Sequence, residues 1–150
     1  MTFDPEAIDP SQEGTAGLVA VVADDLIWAS RIVGAVQRAG ATPVRIGSHE
    51  DLAFALEAVM AEEPDPDDPD PRRIVGAIVD LFGHRYDGVE AVRAVHGVGL
   101  PVIAVAQHDD QETRGLALHA GALRVFSYNK FFEDGPSLVR RWLTERAEGG

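Results

Sequence analysis

The chain has no cysteine among its 150 residues, which removes disulfides, thiolate metal sites and cysteine nucleophiles from consideration. It has a single lysine, Lys130, against twelve arginines. Positive charge is scarce overall: 13 basic residues face 25 acidic ones, for a formal net charge of -12. Backbone binding to nucleic acid needs clustered cations, so no nucleic-acid partner is expected. No apolar run approaches the roughly 20 residues of a membrane span, so no membrane partner is expected either. The opening residues have no apolar core of the signal-peptide kind, and the expected location is the cytoplasm. Glycine-rich phosphate loops and the G-x-S-x-G turn are also missing, which argues against common nucleotide-binding and hydrolase sites.

Apolar strand-sized runs alternate with amphipathic stretches. Residues 1–16 are broken by Pro5 and Pro10 and are expected to form a flexible arm before a domain spanning 17–147, with 148–150 as a tail. Leu18 to Ala23 predicts a first strand. Ile27 to Ala39 predicts a helix, with Trp28, Ile32, Val33 and Val36 at three- and four-residue spacing and Gly40 as its stop. Pro43 to Gly47 and Asp51 to Met60 predict the second strand and helix. The segment 61–71, AEEPDPDDPDP, has six acids and four prolines and predicts a solvated loop. It accounts for half of the net charge.

Ile74 to Val79 is a continuous apolar strand that ends at Asp80. A helix from Asp87 to His96 follows, then a strand from Pro101 to Ala106, a helix from Asp110 to His119, a short strand from Arg124 to Ser127 and a terminal helix from Ser137 to Ala147. Strands that are apolar on both faces, joined by helices, predict a parallel sheet covered on both sides. In such a sheet, ligands sit beyond the carboxyl ends of the strands. Asp24 and Asp25 follow the first strand and Asp80 ends the third, so neighbouring strands would bring the three carboxylates into one pocket. A hard divalent cation such as magnesium would relieve their repulsion. One of Asp24 and Asp25 could instead cap the following helix. His84, His108, Asp109 and Asp110 lie at the same strand ends but lack a recognised ligand spacing.

The order of these elements, with VVADD, VDLFGHRYDGVE, PVIAVA and HAGALRVF, resembles the response-regulator receiver domain of bacterial phosphorelays over roughly Gly17 to Ala147. The resemblance implies a flavodoxin-like, three-layer α/β sandwich: a five-stranded parallel sheet in the order 2-1-3-4-5 with five helices. It also implies magnesium held by Asp24, Asp25 and Asp80, with Asp80 as the phosphoacceptor. The acidic pair has two registers, Asp24 with Asp25 or Ala23 with Asp24; the second fits Gly40 and has lost one ligand.

Two switch positions depart from the family pattern. Ala106 stands where a hydroxyl is expected, and gapless counting puts Tyr128 at the position of the family lysine. Lys130 would need a two-residue bulge to reach the pocket. The chain also resembles a divergent, pseudo-receiver subgroup through Ala29-Ser30-Arg31-Ile32 and Lys130 to Asp134. There Phe131 and Phe132 are candidates either for packing or for partner contact.

Two functions follow as expectations. One is a stand-alone receiver-like signalling protein that acts through a protein partner or as a homodimer, with phosphorylation at Asp80 atypical or absent. The other is a magnesium-dependent phosphoacceptor or phosphate shuttle, served by a histidine kinase or phosphotransfer protein and using Asp80 and Lys130. Catalytic activity beyond autophosphorylation and autodephosphorylation at Asp80 is not expected.

Overall fold

A computed structural model describes residues 17–61 and 73–149, with side chains to Glu145. The arm expected at 1–16 and the acidic segment beyond Ala61 lie outside the described residues. Among the described residues five strands alternate with five helices. They are β1 (Leu18–Val22), α1 (Leu26–Arg38), β2 (Thr42–Ile46), α2 (His49–Ala61), β3 (Ile74–Asp80), α3 (Gly88–Gly97), β4 (Val102–Ala106), α4 (Gln111–Ala120), β5 (Val125–Ser127) and α5 (Tyr128–Gly149). The strands form one parallel sheet in the order β2-β1-β3-β4-β5, as the resemblance implied.

The sheet is buried on both faces because its strand residues are apolar on both. Val22, Val79, Val102 and Ala104 pack under α2, α3 and α4 on one side. Val19, Val21, Ile78, Ile103 and Val105 pack under α1 and α5 on the other. Burial of a branched aliphatic side chain contributes about 1.5–3 kcal/mol, so these two layers are the main source of stability. Among the described residues no helix is long and apolar enough to cross a membrane.

The helix ends follow from local chemistry. Asp25, Asp87 and Asp110 cap α1, α3 and α4, each side chain accepting an N–H three residues on. Gly40 takes φ +94° just past the end of α1, a left-handed conformation that glycine adopts without cost.

The last helix corrects the sequence expectation. It begins at Tyr128 rather than Ser137 and carries Pro136 within it. Proline lacks a backbone donor, but the preceding turns are held by other means. The Ser127 hydroxyl accepts the Lys130 N–H at 3.1 Å. Phe131 is buried in the α1 layer. Gly135 lets α5 approach α1 closely: a Cβ there would stand 3.1 Å from the Ala35 Cβ. Farther along, the Trp142 ring lies over Gly76 of β3, where a Cβ would meet Cη2 at 2.8 Å. The second helix likewise starts two residues earlier than expected, at His49, and takes in Ala61.

Candidate functional site

Parallel pairing brings the carboxyl ends of β1, β3 and β4 side by side, with Val22 opposite Val79 and Asp80 opposite Val105. Asp80 is therefore central. It is 2% exposed, and it is the one charged side chain buried among the described residues. Its Oδ1 accepts the Phe82 N–H at 3.1 Å and the Tyr128 hydroxyl. Burial pushes the Asp80 carboxyl above its usual range; the Tyr128 and Phe82 bonds pull it back, and the charges of Asp25 and Asp24 add to the rise. Burial and the bond to Asp80 push the Tyr128 hydroxyl up as well, so it stays protonated and donates.

The acidic pair divides its labour. The Asp25 carboxylate accepts the Trp28 N–H at 2.9 Å and caps α1. Asp24 Oδ2 accepts the N–H groups of His84 and Arg85, each at 2.6 Å, and ties the end of β1 to the loop after β3. Its Oδ1 is buried without a hydrogen-bond partner. Burial works to raise the Asp24 carboxyl, but the Arg85 and His84 N–H groups outweigh it and hold the group below its ordinary value.

Asp24 and Asp80 meet at the strand ends, and Asp25 lies close enough for its charge to act on Asp80. Among the described residues no group of three or more His, Asp or Glu side chains assembles for a metal ion, and Asp25 Oδ1 is engaged at the helix end. The two remaining carboxylates match the one or two that magnesium commonly takes from a protein, and the unpartnered Asp24 Oδ1 is the atom suited to it. His84, His108, Asp109 and Asp110 likewise form no such group among the described residues. Asp110 instead caps α4, and its bonds to the Thr113 N–H and hydroxyl hold its carboxyl below the usual range.

Ala106, Tyr128 and Lys130 each take a definite place. Ala106 is fully buried at the end of β4 and offers no donor. Lys130 pairs with Asp134 at 2.7 Å on the surface of α5, which raises its amine above the ordinary value. Tyr128 stands at the pocket, as gapless counting placed it. The phenylalanine pair splits: Phe131 is 2% exposed and packs in the core, so it is not available to a partner, whereas Phe132 is 61% exposed.

Four side chains at the site were not singled out for it from sequence. The Tyr86 hydroxyl reaches the carbonyls of Val22 at 2.9 Å and Asp80 at 2.7 Å and braces the ends of β1 and β3. Gly83 is what admits it, since a Cβ there would stand 2.1 Å from the Tyr86 Cζ. Trp28 lies against Tyr128 with ring centroids 4.1 Å apart. Phe82 flanks Tyr128 at 6.4 Å. Arg31 places its guanidinium 5.1 Å from the Trp28 ring and 4.2 Å from that of Phe132. An aromatic residue isolated between polar neighbours, as in HRYDG, was the available signal for Tyr86. The others share a face only once α1 and α5 are packed.

Beside the site, a cavity of about 620 Å³ opens between the β3–α3 loop, His49 and Thr113. Its floor is tied by the Asp87 N–H, which donates to His49 Nε2 at 3.0 Å.

No family model matches the sequence, and no curated protein matches it. Solved structures do. A response regulator receiver domain protein (CheY-like) from Methanospirillum hungatei JF-1 superposes with a TM-score of 0.70 at 17% identity, over 90% of this chain and 99% of that one. The BeF3-activated DrrB receiver domain matches with a TM-score of 0.66 at 19% identity, over 86% and 98%. The receiver domain of a sensor histidine kinase from Pseudomonas aeruginosa PAO1, with magnesium coordinated in its active-site cleft, matches with a TM-score of 0.64 at 16% identity, over 86% and 98%. The chain has the fold of CheY-like receiver domains.

Proposed function

We infer that this receiver-fold chain is a signalling unit that acts by binding another protein, with phosphorylation at Asp80 weak or absent. The observation that carries the reading is the occupied state of Asp80: buried, bonded to Tyr128, with alanine at position 106 and Lys130 engaged elsewhere. Phosphoryl transfer to a carboxylate needs positioned donors for the charge that develops on the transferred group. Two side chains that would supply them in the receiver pattern, a hydroxyl and a lysine, do not supply them here. What the site retains is a rigid junction in which Tyr86, Asp24 and Asp80 fix the loop after β3. A rigid junction suits recognition.

Intact mass tests this directly. The protein is incubated with magnesium and acetyl phosphate beside its Asp80→Asn variant. Unchanged mass in both is the expected result. A gain of about 80 Da in the wild type alone, the mass of one phosphoryl group moved from acetate to the Asp80 oxygen, would overturn it.

One observation favours the competent phosphoacceptor as a second reading. Asp24 Oδ1 is buried and unpartnered beside Asp80, so these two carboxylates would hold a magnesium ion that neutralises the phosphoryl donor. Asp80 would then accept phosphate from a histidine kinase or phosphotransfer protein. In that reading Tyr128 has to leave Asp80 and Lys130 has to leave Asp134.

A further inference from the structure

A buried carboxylate that accepts a phosphoryl group must present an oxygen to a donor. The side chain beside Asp80 engages one of its two. Tyr128 is the first residue of α5, fixed there by the Ser127 cap two residues before Lys130 is reached, and its hydroxyl is bonded to Asp80 Oδ1. Its ring does not float over the pocket. It lies tilted by 36° against Trp28 of α1, and the stack continues outward through the Arg31 guanidinium to Phe132. Arg31 forms no ion pair among the described residues, so its place in the stack rests on the two rings. The outer end of the stack is solvent-facing, with Phe132 61% exposed.

We propose that Tyr128 is a plug that withholds Asp80 from solution, and that the Trp28, Arg31 and Phe132 stack is its handle at the surface. The proposal deepens the reading of Asp80 given above and rests on it. A displacement of Phe132 at the surface therefore reaches Asp80 through four consecutive side-chain contacts.

Carboxyl labelling tests the plug without a metal or phosphate. A water-soluble carbodiimide adds to an accessible carboxyl to give an O-acylurea, and glycinamide displaces the urea to leave an amide on the aspartate. Peptide mass mapping reads each site, with exposed Asp109 as the internal standard. In the wild type, Asp80 stays unlabelled while Asp109 reacts. In Tyr128→Ala, Asp80 labels at least several-fold faster relative to Asp109, and in Phe132→Ala it rises by a smaller factor. Tyr128→Phe keeps the ring and the fold while removing the bond, and Asp80 in it labels faster than in the wild type.

Asp80 labelling as fast as Asp109 in the wild type would overturn the plug, as would an unlabelled Asp80 in both folded Tyr128 variants. Wild-type labelling rates in Phe132→Ala would overturn the handle. The two readings fail separately. Phosphate uptake by the wild type sinks the inert-Asp80 reading, whereas a wild type that takes up none beside Tyr128 variants that stay unlabelled sinks the plug alone.

Discussion

Replacing Tyr128 by phenylalanine removes one hydroxyl and leaves the stacked ring in place, which makes its cost calculable. The lost bond is a charge-assisted one to a buried carboxylate, of a kind that contributes about 1.5–3 kcal/mol. For a chain of this size that is a fall in Tm of roughly 3–12 °C, at about 2–4 °C per kcal/mol. The cost also depends on pH, with a definite sign. Asp80 has its carboxyl raised on folding, so its ionisation opposes folding: stability is fully present below the unfolded value and declines as pH climbs through the folded one. The Tyr128 bond offsets part of that rise, so removing it raises the carboxyl further and extends the declining range upward. Urea denaturation of wild type and variant should therefore show a larger difference at neutral pH than in acid, where Asp80 is protonated in both. In an Asp80→Asn background the same substitution removes only a neutral hydrogen bond and costs about 0.5–1.5 kcal/mol. A Tyr128→Phe penalty that is equal at both pH values, or equal in both backgrounds, would refute the view that the hydroxyl serves an ionised Asp80.

Other perturbations separate the remaining roles. Asp25→Ala should cost about 1 kcal/mol in urea denaturation as a lost helix cap. Gly83→Ala places a methyl inside the Tyr86 ring, and the forced rearrangement should cost about 1–3 kcal/mol or more, with a detectable loss of near-ultraviolet dichroism from the tyrosine. Lys130→Ala breaks only a surface pair and should leave Tm within error of the wild type. Magnesium binding, followed by the heat of titration, should be abolished by Asp24→Asn and unaffected by Asp25→Asn; sensitivity to both would restore the three-carboxylate site.

Much of the fold was legible because its signals are local and redundant. IVGAIV before Asp80 is apolar on both faces, and only a strand covered on both sides accommodates that. Gly40 marked the end of α1 because a left-handed residue is needed there and glycine supplies it. The early turns of α5 were missed for an equally physical reason: Phe131 and Gly135 secure them through packing on residues far away in sequence. The site was half legible. That Asp80 ends β3 follows from the chain alone, and counting from Ala106 placed Tyr128 at the pocket. Asp25 could not be assigned from sequence, since a helix cap and a metal ligand call for the same side chain. Which of Phe131 and Phe132 faces solvent depends on the phase of α5, and that phase was hidden while its start was placed nine residues late.

Gly76 sets that phase. The Trp142 ring rests where a side chain on the central strand would otherwise stand, so α5 can seat on the sheet at one longitudinal position, as a peg seats in a single notch. Tyr128 lies roughly 21 Å up the helix from this notch, at 1.5 Å per residue. The aim of its hydroxyl is thus indexed from the opposite end of the sheet. A side chain added at Gly76 would shift the far end of the helix along with the near one. Substitutions remote from every carboxylate in the site are in this way able to misalign it.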